Sequence, residues 1–308
     1  MKISVIGAGS VGGLTAMRIV ENNLADVFLI DVNENIARAK ASDIDDARSL
    51  ACHDKKIIVT NDFSLISDSK IVVITAGFAR QPGMTREDLL KKNYAVLKDV
   101  SNNIKVHCPN AIIVVVTNPV DIMTYVVIKE TGFKKKKVLG MGSSLDSSRF
   151  NHLISHKLNV SILKVKGLVI GAHGENMLPL PRFTKVNNHP LEEVLKSEEI
   201  IELVEMTKNR GAEILALYGA GSAYFAPSRA IFDICDAIIH DRDAQIPVSV
   251  YLNGEYGISD VCIGVLAKIN KTGVHQIIDL KLKEKEQQIF LEAANSLKGN
   301  IRLLYPFD

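Results

Sequence analysis

Apolar and polar positions along the first half of the chain fall into blocks that predict strands and helices in turn. Short, β-branched apolar runs are separated, in most cases, by stretches of helix length. The runs lie at residues 3–6, 27–30, 71–75, 112–117 and 138–139. Such alternation predicts an α/β protein in which a parallel, doubly wound sheet is covered by helices.

The pattern changes beyond about residue 145. Strand-like stretches at residues 164–170 and 248–252 flank long helical patterns near residues 198–218 and 227–240, and an amphipathic helix fits residues 283–298. A chain of 308 residues is long enough for two domains. We therefore predict one domain over residues 1–145 and a second, α+β domain over residues 146–308, with no Pro/Gly/Ser-rich linker to mark the change.

The composition is that of an ordinary globular protein, with 47% hydrophobic and 23% charged residues and a net charge of +2. Four consecutive lysines at 134–137 lie between a predicted helix and a strand. We interpret them as a solvated connection, because no aromatic platform or second basic stripe accompanies them. We therefore expect no nucleic-acid partner.

Cysteine spacing and hydropathy bear on metal and disulfide sites and on the cellular compartment. Cys52, Cys108, Cys235 and Cys262 are far apart and form no CxxC pair, so neither a zinc site nor a disulfide framework is indicated. No apolar run reaches transmembrane length, and a predicted strand begins at Lys2. We expect a cytoplasmic protein with no metal and no membrane partner.

The first strand runs into Gly7-Ala8-Gly9-Ser10-Val11-Gly12, a GxGxxG motif followed by a helical pattern. In this context Gly7 allows the tight turn, Gly9 lets the backbone approach a pyrophosphate, and Gly12 lets the helix pack on the strand. The second strand ends at Asp31. A carboxylate there can accept both adenosine ribose hydroxyls and would repel a 2′-phosphate, which favours NAD over NADP. The alternative is that Asp31 only caps the turn before Asn33. The motif predicts a Rossmann-type NAD-binding domain.

Polar residues follow several later strands, where an open α/β sheet places its ligands. Asn118 precedes Pro119 and is either a turn former or a donor to a carbonyl or hydroxyl group. Asp146 and Arg149 lie one helical turn apart, as either a surface ion pair or two working groups. Among eight histidines we select His173, which glycines flank at the end of an apolar strand, as a candidate acid/base. A purely structural role for His173 stays open.

Two arginines, Arg80 and Arg86, lie in a Gly/Pro-punctuated loop after a predicted strand. A loop cation has little packing to do, and a guanidinium binds carboxylates in a bidentate manner. The pair therefore predicts a lid that closes over an anionic substrate.

These motifs together resemble the lactate/malate dehydrogenase family over essentially the whole chain. The resemblance rests on the order and spacing of GxGxxG with Asp31, of the lid segment from Arg80 to Arg86, and of four further segments. These are Asn118-Pro119-Val120-Asp121, Leu145-Asp146-Ser147-Ser148-Arg149, Gly171-Ala172-His173-Gly174 and Gly221-Ser222-Ala223-Tyr224-Phe225-Ala226-Pro227. It implies a homo-oligomeric, NAD-dependent oxidoreductase of the tricarboxylic acid cycle, a homodimer or homotetramer, that interconverts malate and oxaloacetate.

The resemblance also implies a role for each matching residue. His173 would be the acid/base, Asp146 would orient it, Arg149 would bind the C1 carboxylate, and Arg86 would polarise the ketone. Asn118 would hold the reacting oxygen and the nicotinamide region, and Gly7, Gly9, Gly12, Asp31 and Asn93 would complete the cofactor site. Ser222 and Ala223 would line the far wall.

Substrate choice would depend on Arg80. In the family an arginine at this position pairs with the second carboxylate of malate or oxaloacetate, whereas a glutamine accompanies the methyl group of lactate or pyruvate. The chain departs from the family pattern at Glu175, where aspartate is usual after His-Gly, and this departure bears on fine substrate preference. The alternatives to malate oxidation are lactate oxidation and a non-catalytic NAD sensor.

Overall fold

A computed structural model describes residues 1–79, 83–219 and 221–306 of the chain. In this part the α-helices are α1 (Ser10–Glu21), α2 (Glu34–Asp46), α3 (Arg48–Ala51), α4 (Arg86–His107), α5 (Val120–Thr131), α6 (Ser143–Leu158), α7 (Leu191–Val194), α8 (Ser197–Tyr218), α9 (Phe225–Ile239) and α10 (Glu284–Leu304). The strands of the first half are β1 (Lys2–Ile6), β2 (Asp26–Ile30), β3 (Ile57–Val59), β4 (Ile71–Ile74), β5 (Ile112–Val115) and β6 (Val138–Gly140). Those of the second half are β7 (Val165–Lys166), β8 (Val169–Gly171), β9 (Met177–Pro179), β10 (Lys185–Val186), β11 (His189–Pro190), β12 (Ala244–Asn253), β13 (Ser259–Asn270) and β14 (Gly273–Ile277).

Six strands of the first half form a parallel sheet in the order β3-β2-β1-β4-β5-β6. All residues of β4 and β5 are buried, as expected for central parallel strands that helices cover on both faces. The predicted doubly wound α/β fold is therefore confirmed. Because parallel strands share a direction, the segments after β1, β4, β5 and β6 meet at one edge of the sheet.

The second half has more strand than the sequence pattern predicted. The long antiparallel pair of β12 and β13 continues the sheet beyond β6, followed by β8 and β9, and β14 pairs with β13. The predicted strand at residues 164–170 is two short strands in different sheets, since β7 pairs with β10 and β8 with β13. Gly167 lies between them and donates its N–H to Asn151 Oδ1 at 2.6 Å, which interrupts the ladder.

The predicted boundary at residue 145 falls within the first turn of α6, which begins at Ser143. The two halves are joined there by a sheet contact as well, because Ser249 of β12 pairs with Gly140 of β6. Helix α5 packs on both β12 and β13. One large apolar core runs through both halves, and a smaller cluster around Phe150 lies under α6 and α8. No described helix combines the length and the hydropathy of a membrane-crossing segment.

Candidate active site

The glycine-rich loop between β1 and α1 is packed too tightly for side chains at two positions. Gly7 has φ +103°, and a Cβ added to Gly12 would lie 1.8 Å from the Gly7 carbonyl oxygen. Thr75, just after β4, supports the loop by donating its hydroxyl to that same carbonyl at 2.9 Å. The loop therefore needs glycine at positions 7 and 12, and α1 can approach β1 closely.

The N-terminus of α1 opens towards a cavity. Gly9 is its N-cap, no side chain in the described ranges caps it, and its first turn has no acidic residue. Among the residues that the structure describes, nothing lies within 4 Å of a Cβ placed on Gly9. Uncapped N–H groups and the positive end of the helix dipole form a seat for an anion such as a pyrophosphate.

Asp31 and Lys40 hold the same loop from the side. Asp31 accepts the Ala8 N–H at 2.6 Å with Oδ2 and the Asn33 N–H at 2.8 Å with Oδ1. It therefore caps the following turn, as the alternative interpretation proposed, and its free lone pairs can still accept ribose hydroxyls. Lys40 Nζ donates to the carbonyl oxygens of Ala8 and Gly9, both at 2.7 Å. Burial lowers the pKa of Lys40, and Asp31 opposes this.

A cavity of about 510 Å³ connects the glycine loop to His173. Its lining from the first half includes Gly9, Ser10, Gly12, Thr75, Thr117 and Asn118. Its lining from the second half includes Leu145, Arg149, His173, Gly211, Leu215, Ser222, Ala223 and Tyr224. The predicted cofactor loop, acid/base and far wall thus border one space.

Two buried carboxylates hold His173. Its Nδ1 lies 2.7 Å from Oδ2 of Asp146, which is completely buried at the start of α6. Its backbone N–H donates to Oδ2 of Asp121, also at 2.7 Å. With Nδ1 engaged, Nε2 is the ring nitrogen left for a ligand. This arrangement supports the interpretation of His173 as an acid/base and of Asp146 as the group that orients it.

The pKa of His173 is raised above its ordinary value of 6.5. Burial alone lowers this pKa, and Arg149 lowers it further, but the negative charges of Asp146 and Asp121 together outweigh both effects. The imidazole is therefore suited to holding a proton near neutral pH.

Arg149 lies one turn beyond Asp146 on α6. Its Nη1 is 3.5 Å from Asp146 Oδ1, its side chain is only 12% exposed, and its Nε has no hydrogen-bond partner in the described part of the chain. Burial lowers the pKa of Arg149, which Asp146 counteracts, and a guanidinium stays charged regardless. A partly buried cation with free donors that borders the cavity is suited to a carboxylate ligand.

The structure describes only one of the two predicted lid arginines. Arg80 lies outside the described residues. Arg86 is the first residue of α4, where Thr85 and Asp88 form a capping box, and its side chain is 71% exposed. Arg86 Nη2 contacts Glu175 Oε1 at 2.5 Å, so the departure from the family pattern touches a predicted catalytic residue.

Asn93, which was expected at the cofactor site, lies behind the cavity and not on its lining. It is fully buried on α4 and does not border the cavity. Its Oδ1 accepts the Phe78 N–H at 2.7 Å, and its Nδ2 donates to the carbonyl oxygens of Phe78 at 3.2 Å and Asn118 at 2.7 Å. Both ends of its amide are therefore occupied, and Asn93 connects the base of the lid to the turn that carries Asn118.

The structure thus brings seven predicted residues to the cavity, namely Gly9, Gly12, Asn118, Arg149, His173, Ser222 and Ala223. It places Gly7, Asp31, Asn93, Asp146 and Arg86 behind or beside that lining. Sequence reasoning missed Lys40, Thr75 and the contact of Asp121 with His173, because each acts on a residue distant in sequence. Within the described ranges, no three His, Cys, Asp or Glu side chains cluster as a metal site.

Comparison with protein families matches both halves of the chain. Residues 1–140 match the family described as lactate/malate dehydrogenase, NAD binding domain, and residues 143–307 match lactate/malate dehydrogenase, alpha/beta C-terminal domain. The malate dehydrogenase of Methanosarcina acetivorans is 44% identical over 303 residues, which cover 98% of this chain and 99% of that protein. The malate dehydrogenase of Bacillus thuringiensis is 42% identical over 305 residues, 98% of each chain.

Solved structures of both named activities have this fold. The malate dehydrogenase of Cryptosporidium parvum is similar with a TM-score of 0.96 and 32% identity, covering 99% of both chains. The lactate dehydrogenase of the same organism, solved with lactic acid and NAD, has a TM-score of 0.95 and 36% identity, covering 98% of this chain and 97% of that one. Overall geometry therefore does not separate the two substrates.

Proposed function

The chain belongs to the lactate/malate dehydrogenase family, and from this premise we propose that it catalyses the reversible, NAD-dependent oxidation of (S)-malate to oxaloacetate. The observation that carries this proposal is one cavity bordered by an uncapped helix N-terminus, by Arg149, and by His173 with its buried Asp146 partner. These groups are what dehydrogenation of a hydroxy acid needs: an anion seat for the cofactor, a cation for the substrate, and a proton acceptor.

The residues fit NAD. The tight turn at Gly7 and Gly12 and the open face of Gly9 let the backbone meet a pyrophosphate at the start of α1. Asp31 would accept the adenosine ribose hydroxyls and disfavour a 2′-phosphate. When bound, NAD takes up the hydride from C2 of malate, and NADH returns it to oxaloacetate.

Side chains of the protein transfer the hydroxyl proton and stabilise the charges of the substrate. In oxidation, Nε2 of neutral His173 accepts the hydroxyl proton of malate while Asp146 stabilises the imidazolium that forms. In reduction, protonated His173 delivers that proton to the carbonyl oxygen. Arg149 would bind the C1 carboxylate, and Asn118 would hold the reacting oxygen. Arg86 would leave Glu175 to stabilise the negative charge that develops on the ketone oxygen.

Sequence supports malate over lactate as the substrate. An arginine at position 80 would pair with the second carboxylate of a dicarboxylate, and leaving it desolvated over a methyl group would be costly. The relatives described above at 42–44% identity are named malate dehydrogenase. Lactate oxidation is the second candidate, because the similar structures include lactate dehydrogenases.

Turnover of oxaloacetate and pyruvate, measured as NADH oxidation with NADPH as a control, tests the substrate. We expect the parent enzyme to prefer oxaloacetate and Arg80→Gln to shift the ratio of kcat/KM values towards pyruvate. A parent enzyme that prefers pyruvate would refute the malate proposal.

The variant His173→Ala tests catalysis itself. We expect it to lose turnover and to keep NADH binding. If the parent protein fails to oxidise NADH with any 2-keto acid, the result would indicate a non-catalytic NAD sensor instead.

We also propose a homodimer or homotetramer in the cytoplasm, acting in the tricarboxylic acid cycle, as the family resemblance implies. Exposed apolar residues on α8 and at the start of α9, including Ile201, Leu217 and Phe225, support a subunit contact. Light scattering of the purified protein tests it, and a mass of one 33.8 kDa chain would contradict it.

A further inference from the structure

Asp121 connects the acid/base to a second part of the site. It is the second residue of α5, which begins just after Asn118, and it is 3% exposed. Its Oδ2 accepts the backbone N–H of His173 at 2.7 Å, across 52 positions of sequence. Asp121 therefore fixes the main chain of the proposed acid/base to the helix that follows a proposed substrate-binding residue.

The burial of this carboxylate is only partly compensated. The His173 N–H and the start of α5 favour its charged form. The nearby Ser249 hydroxyl on β12 lowers the pKa of the carboxyl, yet neither that hydroxyl nor Oδ1 of Asp121 has a hydrogen-bond partner among the described residues. A neutral asparagine could accept the same N–H at a lower desolvation cost. Fixing the backbone of His173 alone therefore does not require an acid.

The charged and titratable groups around Asp121 come from three elements. His173 follows β8, Asp146 lies on α6, and Cys262 lies on β13. Burial and the charge of Asp146 raise the pKa of the Asp121 carboxyl to about 6, although Ser249 and both the N–H and the charge of His173 lower it. Burial also raises the pKa of Cys262 well above its ordinary value, so its thiol is neutral. Asp121 thus changes charge close to the pH range in which His173 works.

We propose that Asp121 is a positioning residue for His173, which holds its main chain and supplies a second negative charge that favours the protonated imidazole. This inference rests on the proposed function. Asp146 orients the ring from Nδ1, and Asp121 acts from behind the backbone. Protonation of Asp121 withdraws its support, so the two groups titrate as a coupled pair.

Asp121→Asn separates the two parts of this role. The asparagine Oδ1 can still accept the His173 N–H, and its amide can donate to Ser249, but the charge is gone. Asp279→Asn, at an exposed position, is the control for net charge. The readout is the titration of His173, followed by NMR in histidine-labelled protein without substrate.

We expect the His173 titration to move to lower pH by about one pH unit in Asp121→Asn and to stay in place in Asp279→Asn. In oxaloacetate reduction, the fall of kcat/KM at high pH should move down by the same interval, while the KM for NADH is unchanged. An unmoved His173 titration would overturn the proposal and leave Asp121 a purely structural role.

A second variant covers the case in which Asp121→Asn does not fold. Ser249→Ala removes the hydroxyl that lowers the pKa of Asp121, so Asp121 should take up its proton at higher pH and the His173 titration should shift down by a smaller interval. Ser101→Ala, at another buried hydroxyl without a partner in the described structure, is the matched control. If His173 titrated at the same pH in Ser249→Ala and in Ser101→Ala, the result would also contradict the proposal. Because NMR needs no turnover, an enzyme inactive on malate would refute the proposed function without deciding the role of Asp121.

Discussion

Replacing Asp146 with asparagine should reduce turnover in both directions. In the parent structure Oδ2 of Asp146 lies 2.7 Å from Nδ1 of His173, the carboxylate is fully buried, and the His173 side chain is 17% exposed. Solvent therefore screens the pair little. The asparagine amide would also donate to Nδ1, which places the proton of the neutral ring on Nε2, where it blocks acceptance of the malate hydroxyl proton.

The size of the effect follows from the separation of the charges. At about 4 Å and an effective dielectric constant of about 20, two unit charges attract by about 4 kcal/mol, which is equivalent to roughly three pH units of titration. This is an upper bound on the rise in the His173 pKa, because burial of the imidazole and the positive charge of Arg149 oppose it. Burial, which lowers the pKa of His173, would then dominate. We expect that pKa to fall below 6.5 and kcat/KM at pH 7.5 to fall by about 10²- to 10³-fold.

The assay is the pH profile of NADH oxidation with oxaloacetate. Reduction needs protonated His173, whose pKa is raised in the parent, so activity should be high below this pKa and fall as pH rises through it. In Asp146→Asn the fall should come at lower pH, while NADH affinity, measured by fluorescence titration, stays within about twofold. This account of the Asp146–His173 pair would be refuted if kcat/KM in Asp146→Asn fell at the same pH as in the parent and was reduced by less than tenfold.

Three further changes test the loop and the lid. Gly12→Ala would bring a Cβ to 1.8 Å from the Gly7 carbonyl oxygen, so we expect at least a tenfold loss of NADH affinity and a lower Tm; unchanged affinity would contradict the role of the tight turn. Lys40→Met removes two hydrogen bonds to the loop, and NADH titration should show about tenfold weaker binding, with an effect below twofold speaking against it. Glu175→Gln removes the exposed ion pair with Arg86, and the KM for oxaloacetate should fall by up to about fivefold at low salt only. A KM for oxaloacetate in Glu175→Gln that equals the parent value at low salt would rule out competition between Glu175 and the substrate for Arg86.

Strands were predictable where the apolar run was continuous and missed where it was not. The buried strands β1, β2, β4, β5 and β6 were found from their β-branched runs. Strand β3 was missed because it has three residues and an exposed Ile58. Strand β13 was missed although residues 261–267 are mostly apolar, since Gly264 interrupts them. A Cβ there would meet Ser143 Oγ at 1.8 Å, so this glycine reflects the packing of α6 rather than a turn.

The site was predictable where one residue type in one position implies its chemistry. His173 between glycines and Asp146 at a helix start could be selected from their neighbours in sequence, and the structure brings their side chains together. The support of the glycine loop by Lys40 and of His173 by Asp121 depends on contacts across 32 and 52 positions. No local pattern encodes such distances, because they follow from the way the sheet brings separate segments together.

The pairing of Gly140 with Ser249, together with the packing of α5 on β12 and β13, makes the two halves mechanically one body. Rotation of one half against the other would break this pairing and disturb the shared apolar core, so we expect no large hinge bending between the halves. Access to the cavity must then depend on short border segments. The same coupling limits protein engineering: a chimera that exchanges the second half with a relative would have to transplant the α5 contact surface as well.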